Sequence, residues 1–206
     1  MKLTDFISDP RSIKLIGRTR EYVRHFFERD GTHGFSHVER VFNLCLHIGK
    51  EEGADLEVLA LASLLHDVAR PLESSGKVED HAVEGARIAR HFLRSLGYPE
   101  EKVEAVAHAI EAHRFSRGPE PETLEAKILS DADKLDAIGA IGVARVFMYS
   151  GEHGRSIEDS LRHFEEKILK LKGLMYTKTA RGIADGRHRF TVEFIERIMR
   201  EIEGEI

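Results

Sequence analysis

The sequence predicts an all-α protein, and three features carry this prediction. Apolar residues recur at the three- and four-residue spacing of an amphipathic helix along nearly the whole chain. No segment alternates apolar and polar residues in the way that indicates a half-buried strand. Residues that favour helix starts, such as Asp9 with Pro10, Asp55 and Asp80, stand directly before periodic segments. We therefore expect a helical bundle.

The length and composition predict one domain. The chain has 206 residues, of which 41% are hydrophobic and 33% charged, and this balance suffices for a single core. There is no repeat, low-complexity tract or linker in the sequence. The expected single domain covers residues 1–206, with a motif core at about 33–136 and C-terminal helices at about 156–203. The expected helices lie at about 10–27, 36–52, 55–67, 80–96, 99–113, 124–149, 157–171 and 178–203.

Particular residues set the expected boundaries. Ser36 and Glu39 have the spacing of a capping box, which would start the second helix at Ser36 and place His37 in its first turn. Polar residues fill segment 71–80, which is expected to be a loop. A break in the segment 124–149 is expected near Asp131.

Charge and cysteine usage exclude several classes of function. The net charge of −5 gives no general attraction to a nucleic-acid polymer or to acidic lipids. The single cysteine, Cys45, excludes an internal disulfide and a thiolate metal cluster, and its apolar surroundings favour a buried structural thiol. Neither an N-terminal apolar leader nor a long apolar span is present, so we expect a cytoplasmic protein that does not bind membranes.

The strongest functional signal is the pair His66–Asp67 at the end of the most apolar run, Val58–Leu65. A run this apolar is typical of a buried central helix. A carboxylate at its end loses hydration, which is unfavourable unless another group pairs with it. A divalent cation meets this need, because it binds imidazole nitrogen and carboxylate oxygen together.

Two further residues in apolar settings complete a candidate ligand set. His37 is expected at the start of the second helix, and Asp133 lies within the apolar segment 128–138. Two imidazoles and two carboxylates suit Mn²⁺, Fe²⁺, Co²⁺ or Ni²⁺, with Mg²⁺ or Zn²⁺ also admitted. In octahedral geometry four protein ligands leave two positions open, which is typical of a catalytic site.

The order His37, His66–Asp67, Asp133 resembles the HD superfamily of metal-dependent phosphohydrolases, whose signature is H…HD…D. The resemblance covers roughly residues 15 to 203. It extends to the motif helix at 58–67, the last-aspartate segment at 130–139, and the C-terminal segments 164–171, 175–177 and 187–190 of small single-domain members. It implies that His37, His66, Asp67 and Asp133 bind the metal.

The sequence also departs from the family pattern. Many members have an aspartate beside the first motif histidine, where this chain has Gly34 after His33. His33 is therefore a candidate substrate contact. Several subfamilies carry an acidic catalytic residue three or four places after the HD pair, where this chain has Arg70 and Pro71. Arg70 would instead suit a phosphate oxygen.

Other residues are second-tier candidates. In dinuclear HD proteins extra histidines bind a second metal, whereas in mononuclear members they contact phosphate. His81, His108 and His113 admit both roles. Lys134 is either a phosphate-neutralising catalytic residue or a surface ion-pair lysine. Asp131 and Asp136 are interpreted as structural partners. We expect catalytic roles for Asp67, Lys134 and His108, and substrate contacts from Arg70, His81, His113 and His33.

The resemblance implies hydrolysis of a phosphate ester or phosphoanhydride, with a nucleotide as the expected substrate. A metal-activated water would attack the phosphorus atom. One alternative is a dinuclear iron oxygenase in which His81 and His108 are ligands. Another is a nucleotide-binding module without turnover, suggested by the missing acidic residue after the HD pair. The amphipathic C-terminal helices suggest a homodimer.

Overall fold

The all-α prediction is confirmed. The structure, a computed structural model, describes residues 2–27, 34–114 and 118–205, and within these ranges it contains helices and no strand. None of the helices in the described ranges is long and apolar enough to cross a lipid bilayer. The chain divides into two compact units, Met1–Ala132 and Asp133–Ile206. The expectation of one domain stays a prediction.

The first unit is built around one buried helix. Its helices are a 3₁₀ helix at Leu3–Asp5, α1 at Pro10–Arg24, α2 at Phe35–Glu52, α3 at Leu56–Leu65, α4 at Arg70–Ser74, α5 at His81–Ser95 and α6 at Glu100–Ala112. The next helix, α7 at Leu124–Asp136, contains the boundary between the units. Every residue of α3 from Val58 to Leu65 is buried. Helices α1, α2, α5 and α6 all pack on α3, which explains why its sequence is apolar on every face.

Aspartate caps start three of these helices as the sequence predicts. The Asp55 carboxylate accepts hydrogen bonds from the backbone N–H groups of Glu57 and Val58 at the start of α3. Asp9 caps α1 and Asp80 caps α5 in the same way.

The prediction for the start of α2 is wrong. The helix begins at Phe35, with Gly34 in the extended N-cap position and no side-chain cap. Ser36 is therefore the second residue of the helix rather than its cap. His37 still lies in the first turn.

Two loop predictions also need correction. The segment after the HD pair is not wholly a loop, because Arg70–Ser74 forms α4, with Pro71 at a first-turn position that suits its fixed φ. The break in the segment 124–149 falls at Ala137–Ile138 rather than near Asp131, which lies within α7. Gly139 explains this position, since its φ of +78° belongs to the left-handed region that interrupts a helix.

The second unit consists of α8 at Gly139–Glu152, α9 at Ile157–Glu166, a 3₁₀ helix at Ile168–Leu174 and α10 at Lys178–Ile202. Helix α10 packs on α8 and on the 3₁₀ helix. The Thr191 hydroxyl accepts a hydrogen bond of 2.9 Å from the Gly139 backbone N–H, which ties α10 to the start of α8. Phe164 is fully buried in this unit.

Candidate active site

Asp67 is the centre of the candidate site. It follows α3 directly after His66, the C-cap residue, and its side chain is almost fully buried. Within the part of the chain that the structure describes, neither carboxylate oxygen of Asp67 has a hydrogen-bond partner. A buried carboxylate without donors is costly, so this position calls for a positively charged partner.

Four imidazoles surround this carboxylate, two beside each oxygen. The Nε2 atoms of His81 and His113 lie 3.3 and 3.9 Å from Oδ1 of Asp67. Those of His37 and His66 lie 3.7 and 3.8 Å from Oδ2. The four histidines come from the first turn of α2, the end of α3, the start of α5 and the end of α6. All four are buried.

Backbone carbonyls orient two of these rings. His66 Nδ1 lies 2.7 Å from the Ser63 carbonyl oxygen, and His113 Nδ1 lies 2.6 Å from that of Ile110. A carbonyl only accepts hydrogen bonds, so each Nδ1 carries the proton and donates. A neutral ring in this tautomer has its lone pair on Nε2, the atom that faces Asp67.

A side chain orients the third ring. His81 Nδ1 lies 2.9 Å from Oε2 of Glu73, a residue of α4. Burial opposes ionisation of Glu73, but hydrogen bonding from His81 and the nearby Arg114 guanidinium outweigh it and lower the pKa of this carboxyl. The ionised carboxylate only accepts, so His81 also donates from Nδ1 and directs the Nε2 lone pair towards Asp67.

The pKa of Asp67 is held well below its usual range. Burial alone would raise this pKa, but the nearby His66, His81 and Arg70 side chains outweigh burial. Asp67 is therefore ionised at neutral pH.

The donor set fits a divalent cation. The two Asp67 oxygens and His81 Nε2 are buried without hydrogen-bond partners among the described residues. The Nε2 atoms of His37 and His66 lie 3.4 Å apart. Neighbouring ligands of a metal ion with bonds of about 2.1 Å are about 3 Å apart at right angles. The ligand atoms of Asp67, His81 and His113 also lie within 4.8 Å of one another.

The structure brings some predicted substrate contacts to this site and leaves others elsewhere. Arg70 Nε lies 3.6 Å from Oδ1 of Asp67, so Arg70 borders the site. His108 is not in this cluster, because its Nε2 accepts a hydrogen bond of 3.2 Å from the Glu122 backbone N–H. His108 and His113 are five positions apart in the sequence, which places the two side chains on different faces of a helix that turns about 100° per residue. His33 lies outside the described residues.

Asp133 and Lys134 belong to the second unit, and their roles in the site stay predictions. Lys134 is buried rather than a surface lysine, and its ammonium lies 4.9 Å from the centre of the Tyr176 ring. Asp136 accepts a hydrogen bond of 2.8 Å from Arg145 Nη1, in line with its interpretation as a structural partner.

Glu73 and Arg114 are the residues that the sequence interpretation missed. Arg114 Nη1 donates to Oε1 of Glu73 at 3.0 Å and to Oδ2 of Asp80 at 2.9 Å. Glu73 stands in a segment that its polarity marked as a loop, and Arg114 directly follows His113. The sequence spacing of these residues contains no sign that they meet.

The comparisons with known proteins agree with the helical fold and the histidine–aspartate cluster. The model of the HD domain family matches residues 34–138. The protein YpgQ of Bacillus subtilis is 34% identical over 203 residues, covering 94% of this chain and 97% of YpgQ. The chain therefore belongs to the HD-domain family of HD-superfamily hydrolases.

Solved structures extend this relationship. The crystal structure of YpgQ in complex with ADP has a TM-score of 0.77 and 31% identity, covering 92% of this chain and 98% of that one. An HD-superfamily hydrolase from Bacillus thuringiensis has a TM-score of 0.76 and 35% identity, covering 94% of this chain and all of the other. Ribonuclease Y of Chloroflexus aurantiacus is 33% identical over 126 residues, but the match covers only 22% of that enzyme.

Proposed function

We propose that the protein is a metal-dependent phosphohydrolase that acts on a phosphate ester or phosphoanhydride of a nucleotide. The observation that carries the proposal is the buried Asp67 carboxylate, whose two oxygens have no hydrogen-bond donor among the described residues while four imidazoles surround them. Membership of the HD family supports hydrolysis, and the ADP bound to YpgQ supports a nucleotide as the substrate class.

The proposed cation ligands are His37, His66, Asp67 and Asp133. A divalent ion held by this set supplies Lewis-acid chemistry, lowering the pKa of a water molecule towards neutrality and polarising a phosphoryl oxygen. The carbonyls of Ser63 and Ile110 keep the His66 and His113 rings in the tautomer that presents Nε2. The burial of His37, His66 and Asp67 strengthens the electrostatic contacts between them.

The remaining residues have proposed roles in binding phosphate. Arg70 carries a planar guanidinium at the edge of the site, a geometry that matches phosphate oxygens. The predicted phosphate contacts from His81 and His113 would need a proton on Nε2, whereas the tautomer described above leaves a lone pair there, which suits a cation on the Oδ1 side of Asp67. Lys134 stays a proposed charge-neutralising residue, whereas the hydrogen bond between His108 and Glu122 disfavours a direct catalytic role for His108.

A substrate panel tests the proposal. The full chain is stripped of metal, reloaded separately with Mn²⁺, Ni²⁺, Co²⁺ or Mg²⁺, and assayed for phosphate and pyrophosphate release from nucleoside mono-, di- and triphosphates. We expect metal-dependent release with at least one nucleotide class, and its loss in His66→Ala and Asp67→Ala with helical circular dichroism retained. His47→Ala removes an exposed histidine of α2 and should leave the activity unchanged.

The outcome that contradicts the proposal is equally definite. Absence of product from every nucleotide with every metal would reject phosphohydrolase activity, and tight nucleotide binding without turnover would favour the binding-module alternative. Full activity in folded His66→Ala would reject the metal assignment.

A two-ion centre is the second candidate, because Asp67, His81 and His113 place three ligand atoms within 4.8 Å of one another on the Oδ1 side. Metal counting on the purified protein separates the two. About two irons per chain with a visible charge-transfer band would favour an oxygenase, and a single ion would favour the hydrolase.

A further inference from the structure

The carboxylate of Glu73, a residue of α4, faces donor groups of Arg70, His81 and Arg114. Its Oε2 atom lies 2.9 Å from His81 Nδ1 and accepts a hydrogen bond of 3.0 Å from Arg70 Nη1. Its Oε1 atom accepts from Arg114 Nη1 at 3.0 Å, and the His81 backbone N–H lies 3.4 Å from the same oxygen. One carboxylate therefore contacts both the ring and the backbone of His81.

Asp80 is a second carboxylate that contacts this group of side chains. Arg114 bridges Glu73 and Asp80 through the same Nη1 atom. Asp80 caps α5, whose first residue is His81. Both the position of the His81 backbone and the rotation of its ring are thus fixed by this group of charged side chains, rather than by a carbonyl of its own helix.

The consequence concerns the proton on His81. The Glu73 carboxylate accepts the Nδ1 hydrogen, so a neutral His81 ring carries no proton on Nε2. That Nε2 atom is buried, without a hydrogen-bond partner in the described ranges, and 3.3 Å from Oδ1 of Asp67. Two lone pairs that face one another at this distance leave room for a cation to be shared between them.

We infer that Glu73 is a positioning residue that holds His81 in the Nδ1–H tautomer and so makes its Nε2 atom a cation ligand beside Asp67. This inference rests on the proposed function only for its effect on turnover, because the effects on tautomer and metal affinity are independent of any substrate. A carboxylate behind a metal-binding imidazole raises the basicity of the ligand and fixes its orientation, and its removal typically weakens metal affinity or activity about 10- to 100-fold.

The tautomer is measured first. Long-range ¹H–¹⁵N correlation spectra of the ¹⁵N-histidine-labelled, metal-free chain are recorded at about pH 8.5, roughly two units above the ordinary histidine pKa. His81→Gln assigns the His81 signals. We expect protonation on Nδ1 in the wild type and a shift of the proton towards Nε2 in Glu73→Ala. Retention of the wild-type pattern in Glu73→Ala would overturn the inference.

Metal affinity is measured second, by titrating Mn²⁺ into the metal-free full chain. We expect Glu73→Ala to weaken binding by up to about 100-fold and Glu73→Gln by about tenfold, because the amide oxygen still accepts the Nδ1 hydrogen without carrying charge. Should Glu73→Ala lose its helical circular dichroism, Glu73→Gln carries the test alone. Wild-type Mn²⁺ affinity in folded Glu73→Gln would then overturn the inference.

Glu84→Gln is the matched control. Glu84 lies on α5, pairs with Arg87 and has 21% of its side chain exposed, compared with 20% for Glu73. Wild-type tautomer and Mn²⁺ affinity are expected in this variant. If the wild type hydrolyses no nucleotide while Glu73→Gln loses affinity, the proposed function fails and the positioning role stands. If the wild type is active and Glu73→Gln matches it in affinity and turnover, the positioning role fails alone.

Discussion

His66 and His113 differ from His81 in how their rings are held, although all three present Nε2 to Asp67. The first two end their helices, and each donates from Nδ1 to a carbonyl three residues earlier in its own chain segment. His81 begins its helix, where no preceding turn supplies a carbonyl, and depends on Glu73. We call the Ser63 and Ile110 carbonyls the backbone anchors and the Glu73 carboxylate the side-chain anchor. A backbone anchor remains when its residue's side chain is replaced, whereas the side-chain anchor is lost with one substitution.

The largest effect is expected at Asp67, the residue that all three rings face. Mn²⁺ at about 100 times its dissociation constant should add about 2.7 kcal/mol to the free energy of unfolding of the wild type. This corresponds to a rise in Tm of about 5–10 °C for a chain of this size. Asp67→Asn should abolish this rise and reduce turnover about 10³-fold, because it removes the negative charge of the proposed metal ligand.

Differential scanning calorimetry with and without Mn²⁺ measures the Tm. Asp9→Asn is the control, since asparagine still caps α1 and the metal-induced rise should persist. A full rise in Asp67→Asn would show that the cation binds elsewhere.

An intermediate effect is expected from disturbing the backbone anchors at Gly85. A Cβ atom on this residue of α5 would lie 3.4 Å from the His66 carbonyl oxygen and 3.5 Å from Ile110 Cγ2. Gly85→Ala should therefore change the free energy of unfolding by no more than about 1 kcal/mol. The two methyl groups in Gly85→Val should press on the His66 carbonyl and the Ile110 side chain, which belong to the chain segments that hold the two rings, and destabilise the protein by about 1–3 kcal/mol.

Urea unfolding and Mn²⁺ titration measure the two Gly85 variants. Weaker Mn²⁺ binding is expected in Gly85→Val alone. Wild-type stability and affinity in Gly85→Val would mean that the chain segments carrying His66 and Ile110 yield easily, so the backbone anchors would not be rigid.

The smallest effect is expected at Asp80, which supports the side-chain anchor. Burial opposes ionisation, but hydrogen bonds from the Ala82 and Val83 backbone and the charge of Arg114 lower the pKa of Asp80 below its ordinary value of 3.8. A lowered folded-state pKa gives stability that is present above pH 3.8 and is lost as pH falls through the folded value.

Asp80→Ala should cost about 1 kcal/mol through loss of the helix cap. Asp80→Asn keeps the cap and removes the charge, so the wild type should be more stable than Asp80→Asn at neutral pH by a margin that shrinks as pH falls below 3.8. Chemical unfolding across pH measures this margin. A margin that grows in acid would have the wrong sign for a stabilised carboxylate.

Local sequence rules predicted the parts of the fold that depend on local chemistry. The apolar run Val58–Leu65 identified the buried helix, although the helix ends at Leu65, directly before His66–Asp67, and not at Asp67 as predicted. The aspartates at 55 and 80 identified two helix starts. The predicted start of α2 at Ser36 was wrong because Gly34 takes the extended N-cap conformation, so the helix begins at Phe35, one residue earlier.

The side chains that surround Asp67 were harder to predict, because one residue of helical rotation changes which face a side chain occupies. His108 stands in the more apolar stretch of sequence, yet it is His113 that reaches the site, since the packing of α6 on α3 and α5 decides which side chain faces it. The role of Glu73 depends on α4, a five-residue helix whose polar sequence indicates a loop. These assignments need tertiary contacts that one sequence does not contain.

The enclosure of α3 by α1, α2, α5 and α6 has a consequence for motion. We expect the backbone amides of its buried residues, Val58–Leu65, to be among the slowest in the first unit to exchange with deuterated solvent. His66 and Asp67 directly follow this helix. Motion of the chain termini and surface turns should therefore leave the position of their backbone unchanged. Glu73, on a short helix with a partly exposed side chain, lacks that protection.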